Sequence, residues 1–540
     1  MKITLLDIGL FLICLFYSYA ILEFVQRREK YSILLGGNFI IGLFLFVILH
    51  APIVYILKVL GIGLAAAMVL YIVLNLGKSE KKGKRSDKSY TGDPIKLKTK
   101  DGDTIKYYEP LENFLVYGGA NAGKTASLGK PLLLEYLKLG YCSFVYDAKE
   151  FDYSKTIYGY YNTHEQSSNL FYVNFNDPNK SHRFNPTKPS LFNNSTHFEE
   201  VNEQFLRSLK GLHSKDDEWW GAALGLYKGI SWMFFKHFPE LCTWPHIANF
   251  FLHRETSDLV EFLNSDNRAK GYASAFLKVQ DSERTLASIQ FNLSNYLSKI
   301  ANNEALCYIL TGNDFEYNFV NPEKPISFCV CNSHQISNTL SPVIGALVNI
   351  AAKQFDLTNK NPLLFCLDEA TTFHIPNFEG LPSLLREFKV AFLMLTQSSS
   401  KIEKLYGKLD LNSIHSNFTN KFFGKTGDVN AVKDYQQLFE KVMNEYTSES
   451  RNYGQSYSEG TTMTKRKEFK FEADFFSHLQ PGEFVGIGGQ SNYIDFHKRF
   501  VPYDRSLDME PRTVREKIVT AADLDENLET IINEVKSISI

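Results

Sequence analysis

The amino-acid sequence predicts an α/β fold built on a doubly wound parallel sheet, and three observations predict it. An apolar run, Phe114 to Tyr117, leads into Gly118-Gly119-Ala120-Asn121-Ala122-Gly123-Lys124-Thr125 and then into a helical stretch, Ala126 to Leu137. A second apolar run, Pro362 to Leu367, ends in Asp368-Glu369. Two more strand-like runs, Cys142 to Tyr146 and Val390 to Thr396, end in Asp147-Ala148-Lys149-Glu150 and in Gln397. Strands that each leave into a helix lie parallel, and the ligand site of such a sheet is at the strand carboxyl ends.

The first of these turns satisfies GxxxxGK[ST] in the required strand, loop, helix context. Successive backbone N–H groups from Gly118 to Ala126, together with a helix N-terminus, can then surround a polyphosphate. In that pattern Lys124 holds the β and γ phosphates and the Thr125 hydroxyl ligates magnesium. Asp368 is placed to hold the magnesium hydration shell, and Glu369, at the open end of its strand, to polarise the attacking water. Gln397 either senses the γ-phosphate or simply caps a strand-to-helix turn. ATP and Mg2+ are the expected cofactors.

Composition narrows the class. At ~150 residues per domain, 540 residues leave room for roughly two to four domains. A formal net charge of -2 excludes a polybasic nucleic-acid coat protein, so any nucleic-acid contact must be local. The seven cysteines are scattered in apolar runs without CxxC pairs, which argues for a reduced, cytosolic bulk.

The N-terminus carries the membrane signal. Ile3 to Val25 is almost wholly apolar, and Ile33 to Leu76 is apolar over about twice the ~20 residues that one span needs. Three crossings fit, the second stretch folding back near His50, Pro52 and Lys58. Arg27, Arg28 and Lys30 follow the first span and the lysines from Lys78 to Lys88 follow the third, so both clusters are expected in the cytoplasm, with the N-terminus outside. Ser18-Tyr19-Ala20 has the form of a signal-peptidase site, but cleavage there would leave Arg27 and Arg28 outside. Residues 78 to 92 read as a solvated linker, with anionic-lipid contact as the functional alternative.

Collinear segments resemble a known family. Asn113 to Pro131, Val145-Tyr146-Asp147-Ala148-Lys149-Glu150, Phe184-Asn185-Pro186, Glu218-Trp219-Trp220-Gly221-Ala222-Ala223, Thr285-Leu286-Ala287-Ser288-Ile289 and the stretch Leu367 to Gly407 follow the order and wording of the type IV secretion coupling proteins, the membrane ATPases of conjugation. Two departures stand beside the likeness: members commonly show two membrane spans rather than three, and Asn121-Ala122 precedes Gly123 where the family often has a serine.

The resemblance implies a RecA-like P-loop NTPase domain with an inserted all-α domain and an N-terminal transmembrane helical region. The expected boundaries are 1–77 for about three membrane helices, 78–110 for the linker, 111–196 and 311–503 for the two parts of the nucleotide-binding domain, 197–310 for the all-α domain, and 504–540 for an acidic tail. Leu206, Leu209, Leu212, Leu224, Tyr227 and Ile230 recur at helical spacing within the insertion. Trp219 and Trp220 fit core packing better than base stacking. Residues 445 to 466 are polar without periodicity and read as a mobile loop, and Glu483 to Ile487 begins a last strand-rich return to the core.

The same resemblance implies an inner-membrane, multi-pass homo-hexamer with cytoplasmic soluble domains. Its implied partners are single-stranded DNA, a relaxase or relaxosome or effector proteins, and the subunits of a secretion channel. An FtsK-like DNA motor, a secretion-assembly ATPase and a nucleotide-switched scaffold are the competing classes, and Glu369 argues against the scaffold. Arg386, in Gly380-Leu381-Pro382-Ser383-Leu384-Leu385-Arg386-Glu387-Phe388, projects away from an apolar face made by Leu381, Leu384, Leu385 and Phe388. It is either an arginine finger for a neighbouring subunit or a surface arginine paired with an acid. The tail from Asp504, with nine acidic and five basic residues, reads as flexible; the resemblance implies that it helps to dock relaxosome or effector proteins, and a solvated helical extension is the alternative.

Overall fold

The computed structural model describes residues 92–539 apart from 212, 213, 218, 334 and 454–456, all within the compact unit Arg85–Ile540. The expected membrane region and the lysine-rich start of the linker lie outside the described residues. Among the described residues, no helix is long and apolar enough to cross a membrane.

The described part of the expected linker is not a linker. Strands β1 (Ile95–Lys98) and β2 (Thr104–Tyr107) pair antiparallel. Their sequences, IKLK and TIKY, alternate apolar and polar residues, so Ile95, Leu97, Ile105 and Tyr107 all fall on one buried face. The hairpin packs that face against the first helix after the glycine-rich loop, α1 (Lys130–Lys138).

Nine strands make the central sheet. They are β3 (Phe114–Tyr117), β4 (Cys142–Asp147), β5 (Asn169–Asn174), β6 (Ile326–Cys331), β7 (Leu363–Leu367), β8 (Val390–Thr396), β9 (Asn420–Phe423), β12 (Glu483–Ile487) and β13 (Asp495–Arg499); between the last three in sequence, β10 (Val442–Tyr453) and β11 (Tyr457–Glu468) form a ribbon of their own. The order across the sheet is β13-β12-β9-β3-β8-β7-β4-β6-β5. The seven strands from β9 to β5 run parallel, and β12 and β13 close one edge antiparallel. Both faces are covered, which is why the inner strands read as unbroken apolar runs. Along β3, Phe114 and Val116 face the side of α1 and α2 (Asp152–Thr163), while Leu115 and Tyr117 face the other side. Strands β4, β7 and β8 alternate in the same way.

The crossover from β5 to β6 contains the helical insertion. It comprises α3 (Ser195–Lys210), α4 (Trp220–His237), α5 (Trp244–Leu252), α6 (Thr256–Asn264), α7 (Asn267–Tyr272), α8 (Ser274–Lys278), α9 (Glu283–Ala301) and α10 (Glu304–Leu310). Trp220 is buried, with the Lys210 ammonium 4.3 Å from its ring centre, so it serves packing. Beyond β6 come α11 (Ser337–Ala352), α12 (Leu381–Arg386), α13 (Ser399–Tyr406), α14 (Lys408–Asn417), α15 (Val429–Leu438) and α16 (Ala473–His478).

Two other expectations are corrected. Residues 445 to 466, read as a loop, lie within the β10–β11 ribbon, whose register runs from Val442↔Glu468 to Tyr453↔Tyr457. The stretch after Asp504 is anchored rather than loose, and its last helix, α17 (Ala521–Ser537), packs against α5 and α10 with Ile531 and Val535 buried. A Thr520–Asp523 capping box starts that helix.

The ribbon pairs only with itself. Replacing residues 444–466 by a four-residue turn should therefore shift the thermal midpoint of the detergent-solubilised chain by less than about 2 °C. A larger loss in a scanning-fluorimetry melt would mean that the ribbon supports the core.

Candidate functional site: a phosphate loop facing buried carboxylates

Both neighbours of β3 grip the loop that follows it. The Gly118 N–H donates to the Thr396 carbonyl at 3.2 Å, and the Gly119 N–H to the Lys425 carbonyl at 2.7 Å. From behind, the Gly482 N–H donates to the Ala122 carbonyl at 2.9 Å. Gly123 has φ +86°, and a Cβ there would lie 2.6 Å from the Gly482 nitrogen, so both its conformation and its surroundings require glycine. Asn121, with φ 60°, takes the left-handed conformation that asparagine tolerates better than most residues. Residues Thr125–Gly129 wind as a single π-helical turn before α1 begins. Such turns concentrate at functional sites.

The carboxylates arrive from the other side. Strand β7 lies beside β4, and the Asp368 N–H donates to the Tyr146 carbonyl at 3.2 Å. Because β8 separates β3 from β7, Gln397 emerges between the loop and the acidic pair. The Lys124 ammonium lies 2.7 Å from the Gly118 carbonyl oxygen and 3.2 Å from Glu369 Oε1. Both side chains are nearly buried, at 7% and 12% exposure. Glu369 has φ 44°, and this bend is held by the Thr372 N–H and hydroxyl, which both donate to the Glu369 carbonyl at 2.9 Å.

Asp368 is fully buried, and neither of its oxygens meets a hydrogen-bond donor. Burial pushes its carboxyl up to about 7, with Lys149 opposing the rise and Glu369 and Asp147 adding to it. An unsatisfied buried carboxylate facing a glycine-rich loop fits a divalent cation. Among the described residues no group of three His, Cys, Asp or Glu could cage a metal. A cation here would therefore draw most of its ligands from phosphate and water, as Mg2+ does.

Asp147, at the end of β4, does something else. Its carboxylate accepts from the N–H groups of Lys149, Tyr153 and Ser154 at 3.2, 2.8 and 3.0 Å, closing the turn into α2. Burial raises its pKa although those donors oppose the rise. It is a structural cap on a helix N-terminus.

Gly118 to Thr125, Ala126, Asp368, Glu369 and Gln397 thus converge at the carboxyl end of the sheet. Arg386 does not join them. It is exposed at the last residue of α12, and the Lys389 N–H donates to its carbonyl at 3.2 Å just before β8 begins. That puts it at the amino end of the strands, ~20 Å away along the seven residues of β8. The expected apolar face is incomplete as well: Leu385 is buried, but Leu384 is 56% exposed, because the helix is only six residues long. Sequence reasoning missed Gly482 behind the loop; its signal was the Pro481-Gly482 turn just before β12.

The buried Asp368 charge has a consequence for stability. Its folded pKa lies above the ordinary carboxylate value, so the folded chain holds a proton that the unfolded chain has released. Stability is therefore lost as pH rises from about 4 through about 7, by at most ~4 kcal/mol. In EDTA, Asp368→Asn should flatten this slope and melt above the parent chain at pH 8; a melt below the parent at that pH would show that the carboxylate is compensated.

Residues 73–474 match the family described as type IV secretory system conjugative DNA transfer. No curated protein matches the chain. Among solved structures, the unbound bacterial conjugative coupling protein TrwBdeltaN70 is 15% identical with a TM-score of 0.57, over 82% of this chain and 94% of that one. TrwB in complex with ADP and Mg2+ is 15% identical with a TM-score of 0.53, over 76% and 88%. TrwB with the non-hydrolysable analogue ADPNP is 16% identical with a TM-score of 0.54, over 76% and 88%. The likeness shows a shared fold, an α/β core of parallel strands with a helical insertion. With the match spanning most of its 540 residues, the chain belongs to the type IV secretory system conjugative DNA transfer family.

Proposed function

We infer that the chain is the inner-membrane ATPase that couples substrate recruitment to a type IV secretion channel. It drives single-stranded DNA with its bound relaxase, or protein, through that channel. The observation that carries this reading is the meeting of Lys124, Asp368 and Glu369 under the glycine-rich loop in a chain of the conjugative DNA transfer family. The TrwB structures with ADP and Mg2+ and with ADPNP support the same nucleotide chemistry in a protein of this fold.

Each residue has a role that its position allows. The N–H groups from Gly118 to Ala126 and the Lys124 ammonium cradle the β and γ phosphates. Thr125 and Asp368 would hold Mg2+, which would supply positive charge against the negative charge that develops on the phosphates. Lys124 is paired with Glu369 in this structure, so a polyphosphate that draws the ammonium to itself also releases the carboxylate. Glu369 is then free to accept a proton from water. Gln397, between the two groups, is placed to read the γ-phosphate. Arg386 is too far from its own subunit's loop to act there, so a catalytic role for it requires a neighbour in a ring, the alternative being a surface arginine.

Lys124→Ala should weaken ATP binding, whereas Glu369→Gln should bind ATP and turn over at least ~100-fold more slowly. Nucleotide-binding and phosphate-release assays separate the two, and wild-type turnover by Glu369→Gln would remove it as the base. Arg386→Ala should leave affinity nearly intact and slow hydrolysis ~10³-fold in the assembled ring. Activity should return when Arg386→Ala subunits are mixed with Lys124→Ala subunits, because some interfaces then pair an intact loop with an intact arginine; unchanged turnover by Arg386→Ala alone would refute its role.

A further inference from the structure

Residues 500 to 538 run from the glycine-rich loop to the helical insertion, touching the molecule along the way. At one end, the Phe500 N–H donates to the Gly482 carbonyl at 2.8 Å, and Gly482 is the residue that holds Ala122. The Tyr503 N–H donates to the Ala126 carbonyl at 2.7 Å, a direct bond to the π-helical turn that follows Lys124. Below that turn lies Lys130, whose side chain is 1% exposed. Its ammonium is held by Asp152 at 2.8 Å and Asp508 at 3.1 Å and lies 5.3 Å from the centre of the Tyr503 ring. Asp508 also accepts from the Thr156 hydroxyl at 2.7 Å.

The path then crosses α2 and the end of β5. The Met509 N–H donates to the Lys155 carbonyl at 3.1 Å, and Gly159 leaves so little room that a Cβ would lie 2.1 Å from the Leu507 carbonyl oxygen. Val514 and Val519 are both tied to Asn179, and Arg515 pairs with Asp314.

At the far end, α17 is locked onto the insertion. Arg254, from the turn after α5, donates to the carbonyls of Val535, Lys536 and Ile538 at 2.9, 3.0 and 2.5 Å, satisfying the helix C-terminus. His246, in α5, lies 2.9 Å from Glu534, and Val535 is fully buried.

A buried ammonium requires carboxylates to hold it, and of the two that hold Lys130, Asp508 is the less exposed, so without it the ammonium is left to Asp152 alone. Asp508 therefore does more than decorate the surface: it helps fix the register of the helix whose N-terminus forms the phosphate cradle. We propose that segment 500–538 is a strap that couples the phosphate loop to the helical insertion, with Asp508 as a positioning residue for nucleotide binding. The inference rests on the nucleotide reading given above. A change in the loop on binding nucleotide is carried by the Tyr503–Ala126 and Asp508–Lys130 contacts into the strap, and from there to α17. By reciprocity, loosening α17 weakens nucleotide binding by the same factor.

The test is hydrogen exchange on the full chain in detergent, with and without ADP and Mg2+. Exchange in 126–137 and in 525–536 should both slow, the latter by at least ~3-fold, and Asp508→Asn should abolish the second effect while raising the KM for ATP at least ~5-fold with a smaller change in kcat. Asp508→Glu should restore both, and Val535→Ala, at the remote end, should raise the KM in the same direction. Protection of 126–137 by ADP with none in 525–536 would overturn the strap and leave the nucleotide site standing. Protection of neither would overturn the nucleotide reading and this inference with it.

Discussion

The carboxyl end of the sheet has to hold a lysine and two adjacent carboxylates, nearly out of water, within one small volume. Lys124 resolves half of the problem by turning to the Gly118 carbonyl and Glu369. Asp368 remains without a donor, and burial raises its pKa. The surroundings follow from this constraint. The loop is gripped by backbone bonds from β8, from Lys425 two residues beyond β9 and from Gly482, a grip that adds no further charge to the site. The next buried charge along, Lys130, is paired with two acids from outside the site.

How much of this was legible in the sequence depended on burial. Strands β3, β4, β7 and β8 could be read because a parallel strand covered on both faces is an unbroken apolar run, and the antiparallel β12 from its short apolar stretch Phe484-Val485-Gly486-Ile487. The loop residues, Asp368, Glu369 and Gln397 came with them, since each follows such a run directly. Strand β9, Asn420-Lys421-Phe422-Phe423, is too short and mixed to stand out, and β13 is a polar edge strand. The β10–β11 ribbon is exposed along most of its described length, so its sequence has no buried face to mark it and reads as loop. The alternation of β1 and β2 was present but followed a lysine-rich stretch that suggested solvent.

Long-range partners were illegible for a different reason. Lys130 and Asp508 are 378 residues apart, and nothing local to either reveals the other. An acidic tail and a lysine inside an otherwise amphipathic helix each have an ordinary explanation as solvated charge. Only the fold shows that the lysine is buried, and burial turns an optional contact into a necessary one. Asp147 shows the converse: a strand-terminal carboxylate with the look of chemistry is consumed by three N–H donors at the start of α2.

The placement of Arg386 bears on assembly. The phosphate loop lies at the carboxyl ends of the strands and Arg386 at their amino ends, so the two are on different surfaces of one subunit. If Arg386 serves a neighbour's loop through a head-to-tail contact, the same pair of unlike surfaces repeats from subunit to subunit, and such a contact that closes is a ring. A motor that threads a polymer needs that closure, because each subunit then completes its neighbour's site in turn around a common axis. The strap adds a constraint within each subunit: it ties the loop that one neighbour's arginine would complete to the helical insertion on the same chain. On the proposed strap, a change at the phosphate loop is connected to the helical insertion, which a translocating ATPase requires and a simple nucleotide-binding scaffold does not.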